Sequence, residues 1–289
     1  MSKYRILTEA TVDLPQSIVE EYGIVVISMD CRMDEKIYMV DPSGKELDPA
    51  YFYERMRQGS VATTSLINAF TFTEYFEEQF KAGYDLIYFA VTSALTSRVA
   101  ANHAMEDLQE KYPERRLIVV DTLCASLGMG LLVYHAAKKQ QEGMGMDELA
   151  KWAEENKLKV CHWFTVEDLK YLLRSGRISA ASAMFGTALN IKPVLRIEDS
   201  GALLALNKVQ GRKRSLKTLV EYMEQTFTPE GNDCVFIGHA DCPEDAEYVK
   251  NLVEERLGVK NFVIHYIGPI IGAHSGPGTV ALFHFGTHR

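Results

Sequence analysis

Long apolar runs are missing from this chain of 289 residues. The longest, at 85–91 and 267–271, fall far short of the ~20 residues a membrane span requires, and the opening residues hold no apolar stretch of signal-peptide type. These absences lead us to expect a cytoplasmic protein with no transmembrane segment. Paired cysteines are missing too. Cys31, Cys124, Cys161, Cys234 and Cys242 are an odd, scattered set with no CxxC, poor material for a disulfide framework or a zinc site, and read as reduced core thiols. Positive charge is in deficit: 31 basic against 39 acidic residues gives a net charge of −8, which repels a phosphate backbone and disfavours nucleic acid as a partner.

Catalytic signatures are equally scarce. There is no GxxxxGK[ST], GxSxG, SxxK or HExxH, and Gly128-Met129-Gly130 lacks the third glycine of a dinucleotide fingerprint. His239 and Asp241 alone make a weak metal pair. No cofactor, no metal and no autonomous enzyme activity are expected. What is present is a normal globular mixture, 47% hydrophobic and 24% charged.

The first half alternates β-rich runs at 4–8, 24–30, 85–93 and 115–122 with helical stretches, the rhythm of a parallel sheet covered by helices. Ala101, Ala104, Met105, Leu108 and Tyr112 form an apolar helical stripe. Asp48-Pro49 reads as an N-cap followed by proline at the first helical position, and Thr71 to Glu74 has capping-box spacing. Residues 28–46 look like a small β excursion, with turns at Asp34-Glu35 and Pro42-Ser43-Gly44. A glycine-containing turn and a polar helix at 143–157 place a boundary between a Rossmann-like α/β domain (1–150) and an α+β two-layer domain (151–289). In the second half, strands are expected at 159–165, 194–198, 203–210, 234–239, 262–267 and 280–285, with a hairpin at Ser200-Gly201. Helices are expected at 166–174, 180–189, 216–227 and 244–257.

Ligands of open parallel sheets gather at the carboxyl ends of the strands. Here those ends carry Thr8 and Glu9, Thr92 and Ser93, and Asp121 and Thr122. The turn His274-Ser275-Gly276-Pro277-Gly278 leaves backbone amides beside an imidazole, which serves a hairpin and an anion site equally well. A basic cluster of Lys208, Arg212, Lys213, Arg214 and Lys217 fits either a solvated helix start or a dock for an acidic partner.

Taken in order, TEATVDLP at 8–15, Thr64-Ser65, TSALTS at 92–97, DTLCASLGMG at 121–130, DLKYLLRSGRIS at 168–179, Ile191-Lys192-Pro193, QGRK at 210–213 and GAHSGPG at 272–278 resemble the DegV family over essentially the whole chain. The resemblance implies a Rossmann-like domain joined to an α+β domain and a long-chain fatty acid as ligand. It also implies a role as the lipid-presenting subunit of a two-component fatty-acid kinase, whose partner supplies the ATP chemistry that makes an acyl phosphate. By motif, the carboxylate contacts fall on Thr64, Ser65, Ser93, Arg177 and His274, and the acyl tail is expected to meet Phe164, Met184, Phe185, Ala188, Leu189 and Ile191. Arg212, Lys213 and Arg214 are the expected docking residues for the kinase. The chain departs from the family pattern at Glu9, Ala10, Ile67, Asn68, Arg98 and Ser175, which touches the loops around these donors. The alternative is an autonomous enzyme acting on a small carboxylated or phosphorylated substrate, with Asp121 or His274 as general base. A regulatory protein acting through the cluster at 208–217 is a third reading.

Overall fold

A computed structural model describes residues 3–96, 99–179 and 190–289. Three sheets organise the described chain. The first is wholly parallel, in the order β2-β1-β6-β7, from β1 (Tyr4–Glu9), β2 (Val25–Ile27), β6 (Asp85–Ala90) and β7 (Leu117–Asp121). Every residue of β6 is buried, as expected for a strand covered on both faces. The expected strand at 24–30 is two strands. After Ile27 the chain leaves the parallel sheet, and β3 (Met29–Met33) forms a small antiparallel sheet with β4 (Lys36–Val40) and β5 (Ala62–Thr64). The β excursion is therefore real, and its third strand brings Thr64 alongside Cys31.

The remaining sheet has the order β10-β9-β8-β13-β11-β12, from β8 (Val160–Thr165), β9 (Ile191–Ile197), β10 (Leu203–Gln210), β11 (Val235–His239), β12 (Phe262–Tyr266) and β13 (Val280–Phe285). Only β11 and β12 run parallel; the other pairings are antiparallel. The hairpin at Ser200-Gly201 joins β9 to β10, with Gly201 at φ 82°.

The helices are α1 (Gln16–Tyr22), α2 (Pro49–Arg57), α3 (Ala69–Lys81), α4 (Val99–Lys111), α5 (Ser126–Gln141), α6 (Met146–Asn156), α7 (Lys170–Arg174), α8 (Arg212–Thr226), α9 (Pro243–Leu257) and α10 (Pro269–Ser275). Asp48 caps α2 as expected, accepting from the Tyr51 amide at 2.9 Å. The cap of α3 differs from expectation: Asn68 accepts from the Thr71 amide at 2.9 Å, so the helix starts earlier than the Thr71 box implied. Two helix lengths are also corrected. The stretch at 166–174 is helical only over α7, and α8 begins at Arg212 rather than near 216. The expected helix at 180–189 lies outside the described residues. The helix α10 was not expected at all.

The central helix α5 is buried on nearly all sides and packs against β1, β8, β11 and β13. Its Gly128 is required by close approach: a Cβ there would sit 2.1 Å from the His162 ring of β8. A pair of glycines that fails as a nucleotide motif thus belongs to a helix wedged against a sheet. One apolar cluster accordingly draws on both large sheets, with Ile6, Ile87 and Phe89 alongside Phe164, Phe236 and Phe283.

Candidate functional site

A cavity opens beside α10, with about 900 Å³ of empty space counted from its walls out to open solvent. Its walls follow from periodicity. Ile270, Ile271, His274 and Ser275 line it, spaced as one face of a helix that begins at Pro269, with Ile267 just before its start. Ala281 and Phe283 alternate along β13, and with Thr279 just before it they face the same space. Register pairs Ala281 with Phe164 and Phe283 with His162, and all four line the cavity. Ile197 and Leu203, paired across the β9–β10 hairpin, extend that wall. From Thr279 to Phe283 the wall runs ~14 Å at ~3.4 Å per residue.

Polar groups gather at the end near His274. Its Nε2 shares a 2.9 Å hydrogen bond with Thr64 Oγ1 at the end of β5. Arg177, just after α7, and Ser65 also line this end. Burial pushes the His274 imidazole down to about 4, and the positive charges of Arg177 and Arg174 push the same way, so the ring is neutral at pH 7. Burial also lowers the pKa of Arg177, whose Nη1 donates to the Ser175 carbonyl at 2.8 Å. Ser275 Oγ is buried without a hydrogen-bond partner among the described residues.

Of the two roles expected for the turn after α10, the hydrogen bonds favour the structural one. The Gly276 amide donates to the Gly272 carbonyl and the Gly278 amide to the Ala240 carbonyl, each at 2.8 Å, so neither is free to hold an anion. His274 and Ser275 belong to the helix rather than the turn. Gly276 is needed because a Cβ would lie 2.2 Å from the Tyr171 ring and because φ is 82°.

The other expected site residues divide. Ser93 is exposed and does not line the cavity; its amide donates to Asp121 Oδ1 at 3.2 Å. Asp121 also accepts from the Leu123 amide and so holds a loop, away from the cavity wall. Phe164 lines the cavity, whereas Ile191, the first residue of β9, does not. Met184, Phe185, Ala188, Leu189 and Arg98 lie outside the described residues. Arg212 is committed internally: Nε pairs with Asp245 at 2.8 Å and Nη2 donates to the Gly278 carbonyl. Lys213 and Arg214 are exposed, Arg214 pairing with Glu221 at 2.9 Å.

Two departures from the family pattern now have a local account. Asn68 is the cap of α3. Glu9 is buried and accepts from the Val91 amide at 2.8 Å, pinning the strand end that leads into Leu95 and Thr96 at the cavity; burial raises its pKa, chiefly by desolvation. Among the polar cavity residues, sequence reasoning passed over Thr11, Ser126, His162 and Thr279. For the α10 face a signal existed in Gly268-Pro269 followed by the stripe from Ile270 to Ser275.

The DegV family model, described as uncharacterised proteins of that family, matches residues 3–286. The chain belongs to the DegV family. A DegV domain-containing protein of Clostridium perfringens is 42% identical over 287 residues, covering 99% of this chain and 98% of its own. The crystal structure of a DegV lipid binding protein from Thermotoga maritima superposes with a TM-score of 0.85 at 27% identity, covering 99% of both chains. A second Thermotoga maritima structure, described as revealing a fatty acid binding function, gives a TM-score of 0.83 at 28% identity and covers 98% of this chain and 99% of its own.

Proposed function

We propose that this protein binds a long-chain fatty acid, with its carboxylate at Thr64, Ser65, Arg177 and His274 and its acyl chain along the β13 wall. The observation that carries the reading is a largely apolar cavity whose end by His274 brings together a cation, an imidazole and hydroxyls. Burying the chain stabilises the complex by ~0.8 kcal/mol per methylene, on the order of 10 kcal/mol gross along a wall of this length, before association and ordering costs. The polar end adds charge-assisted hydrogen bonds from Arg177 and fixes which end of the acid faces outward. Lipid binding by one DegV relative of similar fold and fatty acid binding by another support the assignment.

In this reading the protein is a carrier that presents the carboxylate to a separate ATP-dependent kinase, which forms the acyl phosphate. Exposed Ser65 and Leu66 at the mouth leave the head reachable, and Lys213 and Arg214 remain as docking residues after Arg212 is assigned to the interior. Catalysis by the chain alone is less favoured by the geometry. A histidine held near 4 is a weak general base at neutral pH, and Asp121 stands away from the cavity.

Denaturing the purified protein, extracting it and weighing the extract by mass spectrometry should recover a long-chain acid, and the delipidated chain should take up oleate or palmitate. Repeated absence of both refutes the carrier reading. The kinase step is checked by hydroxylamine trapping: the loaded protein with ATP should yield acyl hydroxamate only when a kinase is added. Hydroxamate formed by the chain alone would return the reading to an autonomous enzyme.

A further inference from the structure

The end of the cavity remote from His274 is held from behind by one side chain. Thr279 Oγ1 donates to the Ser275 and Gly276 carbonyls at 3.1 and 2.9 Å, so Thr279 marks the end next to His274. Phe283 lies ~14 Å farther along the strand direction, where it pairs with His162, their rings 5.3 Å apart. The Ala125 amide donates to His162 Nε2 at 3.4 Å, and Ile197, one step past the Trp163–Arg196 pair, falls beside His162. All four residues line the cavity. Behind them Arg289 is only 6% exposed. Its Nε donates to the Val160 carbonyl at 3.0 Å, Nη1 to the Leu123 and Glu198 carbonyls at 2.8 and 3.1 Å, and Nη2 to the Lys157 carbonyl at 2.7 Å and to Cys124 Sγ at 3.2 Å. All five N–H groups of the guanidinium are thus used, on three separate stretches of chain.

Each stretch carries a cavity residue. Cys124 precedes Ala125, Glu198 follows Ile197, and the Val160 carbonyl also accepts from His162 Nδ1 at 3.0 Å. Burial, and after it the charge of Arg289, keeps the His162 ring neutral, as its acceptance from the Ala125 amide requires. We propose that Arg289 is a positioning residue that fixes the closed end of the cavity and so sets the longest acyl chain the protein accepts. This rests on the fatty-acid reading above and gives it a length limit. Arg289 does not itself line the cavity; it acts through Ala125, His162 and Ile197. The planar guanidinium presents its donors in a fixed fork, so the three stretches are held at set distances from one another. Without it five acceptors lose their donor, and the stretches regain partners only by moving apart toward water, which opens the end wall.

The test uses the delipidated full-length chain and competition against a fluorescent fatty acid. The competitors are straight saturated acids in two-carbon steps from dodecanoic to docosanoic acid. Wild type should show an optimum and, two steps beyond it, an affinity lower by about tenfold, because a chain too long for the cavity pulls its carboxylate away from Arg177 and His274. Arg289→Ala should cut that fall to about threefold or less, whatever its affinity for the optimal acid. If Arg289→Ala does not fold, Arg289→Lys, which keeps the charge but only three N–H groups, should flatten the fall in the same sense. Equal weakening of every acid with the wild-type fall retained makes Arg289 a structural residue only and overturns the inference, as does a wild type that binds all lengths alike; both leave the carrier reading standing. A wild type that binds none of the acids overturns the carrier reading and the inference with it.

Discussion

The two ends of the cavity are built by different means. Its head end is assembled from the ends of elements: Thr64 closes β5, Arg177 follows α7 and His274 sits on the last turn of α10. Its interior wall comes from the faces of elements, the alternation along β13 and β8 and the stripe on α10. Ends of elements carry groups whose chemistry is visible one residue at a time. Faces carry groups that matter only through their spacing and through what packs opposite. The head end therefore sets the orientation of a bound acid, while the wall sets how much apolar surface is removed from water.

The sharpest way to break the comparison is at the wall. Ala281 is small, 5% exposed and faces the cavity between Thr279 and Phe283. Ala281→Phe should fill the path of the chain and reduce oleate uptake by about a hundredfold or more, since several methylenes at ~0.8 kcal/mol each lose their place. Circular dichroism should show the fold retained, and normal uptake by this variant would mean that the acyl chain runs elsewhere.

A smaller effect separates the head end by pH. The folded pKa of His274 lies near 4, below the usual value near 6.5. The unfolded chain therefore binds the proton first, and the stability contributed by the neutral ring is present above 6.5 and lost as pH falls toward 4. Other groups titrate in the same window, so the variant isolates the share of His274. Delipidated wild type should lose more stability than His274→Gln between pH 6.5 and pH 4 in urea denaturation. A bound fatty acid should reduce the difference, because a carboxylate beside the ring favours its protonated form. Equal pH profiles for the two proteins would show that His274 is not buried neutral.

The smallest effect falls beside the mouth and should spare the wall. Asn68→Ala removes the cap of α3 and should cost about 1 kcal/mol of stability, seen as a lower urea midpoint, with oleate affinity little changed. A large loss of affinity would show that the cap also holds the Thr64-Ser65 end in place.

Much of the fold was legible in the order of residues. The parallel strands, the β excursion, the β9–β10 hairpin and the Asp48 cap arise from local alternation, turn chemistry and capping, which need no knowledge of distant neighbours. The helix α10 was overlooked because its stripe of isoleucines also reads as a buried strand, and short apolar runs do not separate the two. The starts of α3 and α8 moved for a similar reason: several polar residues stand near each, and the local pattern alone does not select one.

At the site, the sequence by itself determined the types of polar group available, Thr64, Ser65, Arg177 and His274, and through the ordered motifs the family to which they belong. Tertiary structure alone decided which groups meet. It put Ser93 outside the cavity, turned Arg212 to Asp245, tied up the glycine amides of the turn, and brought Thr11, Ser126 and His162 to the lining of one cavity from positions far apart in the chain. The physical reason is that capping, turns and alternation act over a few residues. Burial, by contrast, depends on everything packed around a group, and burial is what keeps His274 neutral.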